Sequence, residues 1–466
     1  QSASTEIINL TAIQGLPKGT EYFFSDLHGE HEAFIHLLRS SSGIIREKIK
    51  ETFGYVIPED EQDELANLIY YPKRTLNQLA QSDSDHNNDD WKRITIYRLV
   101  QLCKQVSSKY TRSKVRKKLP PDFAYVIDEL LHVDYNADNK KVYYSEIVQT
   151  IIDIGSADQF ICVLCELIQN LTIDNLHIIG DIFDRGPRAD LILNELMNFH
   201  DVDIQWGNHD ISWMGAAAGN LACICNVLRI AISYNSFDVL EDGYGINLRP
   251  LSMFAASAYR DDPCTRFKPH ILDQNIYDVV DPGLVAKMHK AITIMQFKLE
   301  GQLIKEHPEF EMEKRLLLDK INIEKGTVCD KGTVEVDGKT YPMLDMKFPT
   351  IDPKDPLKLT EQEAELLQTL KMSFRHSGLL HKHIKFLYSH GSMYKCCNNN
   401  LLYHGCIPLK KDGSFDDIVF YGIPYSGKAL MDFVDQMVQS AYFLPESNPD
   451  KGVASDFMWY LWNGAK

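Results

Sequence analysis

Three short segments of the chain could bind metal ions, because each places polar side chains directly after an apolar run. The segments are SDLHGE at 25–30, GDIFDRGPRAD at 180–190 and GNHD at 207–210. Together they offer carboxylate, imidazole and amide groups without a thiolate, and this ligand set suits Mn²⁺, iron or Zn²⁺. Each segment alone is a weak signal, but the three in this order predict one metal centre.

The first segment, around Asp26 and His28, has two interpretations. The simpler one is a polar turn after the aromatic run YFF. In the other, the segment is extended, so alternate side chains point the same way and both residues reach one metal ion. Glu30, His31 and Glu32 are expected at a helix start, where carboxylates interact favourably with the helix dipole.

The elements around these segments favour a sheet with parallel strands. NLHIIGDIFDRG and VDIQWGNHD each read as a strand that ends in a polar loop, and RADLILNELMNF between them has a helical pattern. Strand, helix and strand in this order predict a βαβ unit and therefore an α/β fold. Open sheets of this type bind ligands at the carboxyl ends of their strands, which is where the three polar segments lie.

Two long regions interrupt this pattern, so we expect a core in three parts. The first region has amphipathic helical patterns. The second combines a hairpin, with Asp337 and Gly338 in its turn, and a helix that begins with Thr360 and Glu363 at capping-box spacing. The expected core parts are 1–50, 151–249 and 371–466, the helical insertion is 51–150, and the helical and hairpin insertion is 250–370.

The composition excludes some classes of protein. The chain has 466 residues, 44% of them apolar, and a formal net charge of −16 at pH 7. A negative protein repels a phosphate backbone, so nucleic acid is not expected as a partner, and an anionic substrate needs cations supplied locally.

No apolar run of about 18 residues occurs, which predicts no membrane span. The ten cysteines lack a disulfide pattern, so we expect a cytoplasmic location.

The three segments resemble the motifs of the calcineurin-like metallophosphatases, which read D-x-H-G, G-D-x-x-D-R-G and G-N-H-[DE]. The resemblance implies a core built as a two-sheet βαβ sandwich, here with large helical insertions. It also implies a two-metal site, in which Asp26 and His28 bind the first metal ion and Asp181 bridges both ions. Asn208 and His404 would then bind the second ion.

The same resemblance implies the catalytic roles. His209 would donate a proton and Asp184 would hold it in place, while Arg185 would bind the phosphate. Arg188 is either a second phosphate contact or an exposed arginine at a helix start, and both interpretations stay open.

A later His-Gly segment completes the motif set of this superfamily, and two segments of the chain could supply it. KFLYSHGS contains His390 and LLYHGCIPL contains His404, and both read as a strand followed by His-Gly. His404 is favoured because Pro408 also matches the motif.

Longer stretches of the sequence are similar to the class III fructose-1,6-bisphosphatases, namely SDLHGEHEAF, GDIFDRGPRAD, GNHDISWMGAAAG and EDGYGINLRPL. This resemblance implies hydrolysis of the sugar bisphosphate fructose 1,6-bisphosphate to fructose 6-phosphate in gluconeogenesis, with manganese. The alternatives are a phosphoesterase for a phosphoprotein or a dinucleoside polyphosphate, and a relative without catalytic activity. A homo-oligomer is left open.

One feature departs from the metallophosphatase pattern. Those enzymes have a later Gly-His pair, whereas this chain has no Gly-His dipeptide and ends in the aromatic-rich FMWYLWNGAK. We therefore expect a C-terminally truncated chain, in which the metal site is incomplete.

Overall fold

The structure, a computed structural model, describes residues 2–81, 88–132, 138–270, 281–321, 323–324, 327–328 and 332–464. The chain divides into two compact units. Unit 1 contains Gln1–Phe23 and Glu32–His177, and unit 2 contains Phe24–His31 and Ile178–Lys466. The five-part division predicted from the sequence is finer than this one and stays a prediction. Within the described ranges, no helix is both long and apolar enough to cross a membrane.

Unit 1 consists mainly of helices around an apolar core. Its helices are α1 (Ser2–Gln14), α2 (His31–Ser40), α3 (Ile44–Phe53), α4 (Glu59–Tyr70), α5 (Pro72–Gln81), α6 (Asp89–Ser107), α7 (Arg112–Lys118), α8 (Ala124–Leu131), α9 (Asp138–Asp153) and α10 (Ala157–Thr172). Helix α10 packs against α6 and α4. Leu99, Phe160 and Leu164 are fully buried between these helices because the apolar residues of each helix recur at helical spacing.

Unit 2 contains the remaining helices. They are α11 (Ala189–Asn198), α12 (Asn208–Ala218), α13 (Leu221–Ser233), α14 (Arg249–Ala258), α15 (Pro282–Glu306), α16 (Glu361–His376), α17 (Gly378–His390), α18 (Gly427–Phe443) and α19 (Asp450–Asn463). Helix α15 packs against α13 and α14, and α19 packs against α12 and α18. Both α12 and α13 are buried along most of their length, mainly through apolar side chains but with buried polar ones such as His209, Asp210 and Asn226, so both helices lie in the core.

The strands form one larger sheet and four two-stranded ladders in the described part of the chain. The strands are β1 (Glu21–Ser25), β2 (Asn175–Ile179), β3 (Val202–Gln205), β4 (Ile323–Glu324), β5 (Thr327–Val328), β6 (Thr333–Val336), β7 (Lys339–Pro342), β8 (Gly391–Ser392), β9 (Tyr394–Cys397), β10 (Asn400–Tyr403), β11 (Ile418–Phe420) and β12 (Ile423–Tyr425). The larger sheet has the order β1-β2-β3-β8, and β3 pairs with β8 in parallel. Helix α11 connects the neighbours β2 and β3, as the βαβ pattern predicts.

The α/β fold is confirmed, whereas the two-sheet sandwich stays a prediction. The hairpin is also confirmed, since β6 and β7 pair across Asp337 and Gly338. Thr360 and Glu363 form the predicted capping box of α16. The strand predicted before His390 is wrong, because that segment is the last part of α17. The strand β8 begins only after His390. A short apolar run fits a buried helix face as well as a strand, so the sequence pattern does not separate them.

A buried ion pair connects α15 to the start of α16. Lys298 Nζ lies 2.7 Å from Glu363 Oε2, and both side chains are fully buried. Lys298 Nζ also donates to the carbonyl oxygen of Thr350 at 2.6 Å, and Glu363 Oε2 accepts from the amide of Thr360 at 2.8 Å. Because each charge has a partner of opposite sign and further hydrogen bonds, neither charge is left uncompensated.

Lys298→Met should lower the free energy of unfolding by about 3–5 kcal/mol, since Glu363 would stay buried without its cation. Urea unfolding followed by circular dichroism measures this change. Lys305→Met on the same helix is the control, because Lys305 is largely exposed and pairs with Asp319 at 3.0 Å. A loss as small as that of the control would contradict the stabilising role of the buried pair.

Candidate metal centre

Three loops meet at the carboxyl ends of β1, β2 and β3 in unit 2. The loop after β1 lies along the loop after β2, because the amide of Asp26 donates to Gly180 O at 3.1 Å and that of His28 donates to Asp181 O at 2.8 Å. The loop after β3 approaches the same point at Gly207, where a Cβ atom would lie 2.1 Å from Asp181 Oδ1. Glycine is therefore required at 207 for this close approach.

The backbone of these loops is left-handed at several residues that are not glycine. The φ angles are 54° at Asp26, 43° at His28 and 56° at Asp181, and those of Asp184 and Arg185 are 69° and 68°. The prediction of an extended segment at Asp26 and His28 is therefore wrong, because the loop follows the backbone after β2 and does not continue the strand. The two side chains nevertheless face each other, with His28 Nε2 3.9 Å from Asp26 Oδ1. Clustered backbone strain of this kind is typical of functional sites.

Asp181 lies at the centre of the candidate ligands. Its Oδ2 atom is 3.9 Å from Nε2 of His28 and 3.2 Å from Nε2 of His404. Two groups of possible ligand atoms share Asp181, one with Asp26 and His404 and the other with His28 and His209. This grouping pairs the ligands differently from the resemblance, which assigned Asp26 and His28 to the same ion.

The two predicted histidine ligands have fixed tautomers. His28 Nδ1 lies 3.1 Å from the carbonyl oxygen of Phe183, and His404 Nδ1 lies 3.0 Å from that of Ile179. A carbonyl oxygen can only accept, so in both rings Nδ1 carries the proton. Nε2 of each ring is therefore the atom that faces Asp181, and a metal ion bound at His404 would replace the proton that its Nε2 atom shares with Asp181.

The pKa values of the cluster reflect its opposing charges. The hydrogen bond from His404 to Asp181 raises the pKa of His404 to about 9, although burial acts in the opposite direction. Burial would raise the pKa of Asp181, but the hydrogen bond from His404 and the nearby His209 outweigh it and lower the pKa. Asp181 is therefore a carboxylate that attracts cations.

His209 and Asp184 form a buried pair beside the cluster. His209 Nδ1 lies 2.6 Å from Asp184 Oδ2, and Trp213 Nε1 donates to Asp184 Oδ1 at 2.7 Å. Burial lowers the pKa of His209, but the hydrogen bond and the charge of Asp184 outweigh burial, so the pKa is raised. The arrangement favours a protonated imidazole whose orientation is set by Asp184.

The two predicted phosphate contacts differ in their surroundings. Arg185 is exposed, and its carbonyl oxygen accepts a hydrogen bond from Ser236 Oγ at 2.6 Å. Arg188 instead makes two hydrogen bonds to the buried Asp190, from Nε at 3.0 Å and from a terminal nitrogen at 2.8 Å. Because the guanidinium of Arg188 is already bound by two hydrogen bonds to the Asp190 carboxylate, a phosphate would have to compete with Asp190 for it.

The remaining candidates are Asn208, His390 and His404. Asn208 is the first residue of α12, directly after Gly207. His390 is the last residue of α17, where it is exposed and its ring lies 4.5 Å from that of Phe386. Of the two rival histidines, the structure therefore brings His404 to Asp181 and places His390 on the surface.

The family model of the Firmicute fructose-1,6-bisphosphatases matches residues 1–466. The chain belongs to this family. It is 54% identical to the fructose-1,6-bisphosphatase class 3 of Clostridium novyi over 463 residues, which are 99% of this chain and 68% of that protein. It is 53% identical to the proteins of the same name from Clostridium tetani and Alkaliphilus metalliredigens, over 99% of this chain and 69% of each relative. No solved structure matches the chain.

In this member of the fructose-1,6-bisphosphatase family, Asp210 is a residue of the candidate site to which the sequence analysis assigned no role. Its buried carboxylate accepts hydrogen bonds from the amides of Asp181 and Ile182 at 2.9 Å and of Gly207 at 3.0 Å. Burial, together with the charge of Asp181, raises its pKa to about 6 although these amides oppose the shift. The signal was present as the last residue of GNHD, but a carboxylate in the first turn of a helix resembles an ordinary cap.

Asp210→Asn should weaken metal binding by about 10–100-fold, as expected when a residue that orients the ligands is replaced. The amide NH₂ group cannot accept, so at least one of the backbone amides of Asp181, Ile182 and Gly207 loses its partner. Titration of the protein with Mn²⁺, followed by calorimetry, measures the change. Asp203→Asn is the control, since Asp203 is a buried carboxylate on β3 that pairs with Lys395. Equal Mn²⁺ affinity in the two variants would contradict the role of Asp210.

Proposed function

We propose that the chain is a metal-dependent phosphatase that hydrolyses fructose 1,6-bisphosphate to fructose 6-phosphate and phosphate. The proposal is supported by one observation above all. In a chain of the fructose-1,6-bisphosphatase family, the side chains of Asp26, His28 and His404 surround Asp181 with their ligand atoms close together. The finer assignment to the calcineurin-like superfamily, with its two-sheet core, is part of the same proposal.

The proposed metal ligands are Asp26, His28, Asp181, Asn208 and His404. Two observations support a fit of this donor set to divalent ions: the Nε2 atoms of both histidines face Asp181, and the pKa of Asp181 is lowered. Hard oxygen and borderline nitrogen donors without sulfur suit Mn²⁺, which we propose as the metal. When bound, two such ions lower the pKa of water and stabilise negative charge on the phosphoryl oxygens.

The protein's own side chains would supply the proton for the leaving group and the contacts to phosphate. His209, oriented by Asp184 at 2.6 Å, would donate a proton to the leaving oxygen of the sugar, which is a poor leaving group without one. Arg185 would bind phosphate oxygens with its planar guanidinium. The positive charges of Arg185, the protonated His209 and the bound metal ions would allow a protein of net charge −16 to accept a doubly phosphorylated sugar. A contact of Arg188 with phosphate stays a proposal that requires its pair with Asp190 to open.

The test compares three substrates with the purified 466-residue chain in the presence of Mn²⁺. Fructose 1,6-bisphosphate, a phosphopeptide and a dinucleoside polyphosphate are incubated separately, and released phosphate is measured. We expect release from the sugar bisphosphate and little from the others. Release mainly from the phosphopeptide or the dinucleotide would contradict the proposed substrate.

Metal dependence is tested on the same preparation. Mn²⁺ should raise the midpoint temperature of thermal unfolding, because an ion that binds only the folded state stabilises that state. An absence of both stabilisation and phosphate release would favour a relative without catalytic activity. The cytoplasmic location and the oligomeric state stay predictions.

A further inference from the structure

Helix α19 brings Trp462 into contact with His209. The ring centroids of the two residues are 4.7 Å apart and their planes cross at 77°, which is an edge-to-face arrangement. The ring of His28 approaches His209 in a similar way, at 5.0 Å and 83°. The ring of His209 is therefore contacted by two other rings in addition to its hydrogen bond with Asp184.

The segment around Trp462 is anchored within unit 2. Glu300 Oε1 accepts from Trp459 Nε1 at 3.2 Å and from Asn463 Nδ2 at 3.0 Å, so residues on both sides of Trp462 bind the same carboxylate. Earlier in the helix, Asn220 Nδ2 donates to Asp456 Oδ1 at 3.0 Å. Because these contacts anchor the helical turn on both sides of Trp462, the backbone that carries the indole is held in place beside His209.

We propose that Trp462 is a positioning residue for His209, an inference that rests on the proposed function. The hydrogen bond to Asp184 fixes one atom of the imidazole, whereas rotation about that atom is restricted only by the neighbouring rings of His28 and Trp462. A second contact on the ring removes this freedom and keeps the proton-donating side aligned with the leaving oxygen. Edge-to-face packing with an indole suits this purpose, since it constrains direction as well as distance.

Two other roles for Trp462 lead to different results. A residue that only fills the core would affect stability, and the loss would be independent of His209. A residue that touches the sugar would mainly change the KM. A positioning residue should lower kcat at nearly unchanged KM and only while His209 is present.

The experiment measures kcat and KM for fructose 1,6-bisphosphate with Mn²⁺ in Trp462→Ala, Trp462→Phe and the control Trp91→Ala. Trp91 is a half-buried tryptophan of unit 1. We expect Trp462→Ala to lower kcat by about tenfold, because small misplacements of a reacting group cost one or two orders of magnitude in rate. Trp462→Phe keeps an aromatic edge and should recover most of the rate, and the control should not change it. An unchanged kcat in Trp462→Ala, or a change confined to KM, would overturn the inference.

A double-mutant cycle with His209→Ala separates positioning from general damage. If Trp462 acts through His209, then Trp462→Ala should change the residual rate of His209→Ala by less than about twofold. The same tenfold loss in both backgrounds would overturn the inference while leaving the proposed function intact. A wild-type rate in His209→Ala alone would overturn the proposed proton donor, and the inference with it.

Discussion

Replacing Asp181 by asparagine should abolish the metal-dependent turnover of fructose 1,6-bisphosphate. Asp181 Oδ2 lies within 4 Å of Nε2 of both His28 and His404, at 3.9 and 3.2 Å, so it is the carboxylate that both histidines share. Asparagine has nearly the same shape but no charge, and cations at this point would lose a compensating negative charge. Since bound metal ions contribute several kcal/mol to phosphoryl transfer, we expect a loss of about a thousandfold or more.

Two measurements check this result: phosphate release at increasing Mn²⁺ concentration, and the Mn²⁺ content of the purified variant. The fold should persist, because the side-chain oxygen of an asparagine can still accept from the amide of His209, which donates to Asp181 Oδ1 at 3.2 Å. Asp203→Asn again serves as the control and should keep both activity and metal. Full metal content together with full turnover in Asp181→Asn would exclude Asp181 as a ligand.

The positions of β1, β2 and β3 could be predicted because each of these strands has a clear local pattern. β1, β2 and β3 are short apolar runs that end at polar loops, and α11 between the last two has helical periodicity. The meeting of the three loops follows from the rule that parallel strands share their carboxyl edge. The juxtaposition of Asp26, His28 and Asp181 therefore depends on local signals and one topological rule.

The conformation of the first loop could not be predicted from local patterns. Asp26 and His28 have φ angles of 54° and 43°, which side chains other than glycine rarely adopt. These values are imposed by hydrogen bonds to Gly180 and Asp181, which are distant in sequence. The expected alternation of side chains in an extended strand correctly predicted that Asp26 and His28 face each other. The reason was wrong, because the segment is not extended.

Contacts between residues that are far apart in the sequence could not be predicted either. Asp210 reads as a first-turn carboxylate, yet it accepts amide hydrogen bonds from the loop that contains Asp181. Trp462 reads as one of several aromatics near the C-terminal end, and its contact with His209 depends on how α19 packs against α12. Such packing is set by the summed burial of whole helix faces, which no short motif encodes.

His209→Ala should retain the metal and lose about two to four orders of magnitude in kcat for fructose 1,6-bisphosphate, the usual contribution of a general acid. The alkoxide of a sugar is a poor leaving group, so its departure depends on a proton that arrives in the transition state. His209 is suited to this step because Asp184 and the nearby Asp181 raise its pKa against the effect of burial. Kinetics at saturating substrate and the Mn²⁺ content of the variant are the two measurements.

His390→Ala is the matched control for His209→Ala, since it removes an imidazole that is exposed at the end of α17. We expect the control to keep the wild-type kcat, and its result also decides between the two rival histidines. A large loss in His390→Ala with normal turnover in His404→Ala would reverse the choice of His404 as a ligand. Normal kcat in His209→Ala with full metal content would mean that another group protonates the leaving oxygen, and the pair with Asp184 would then be structural.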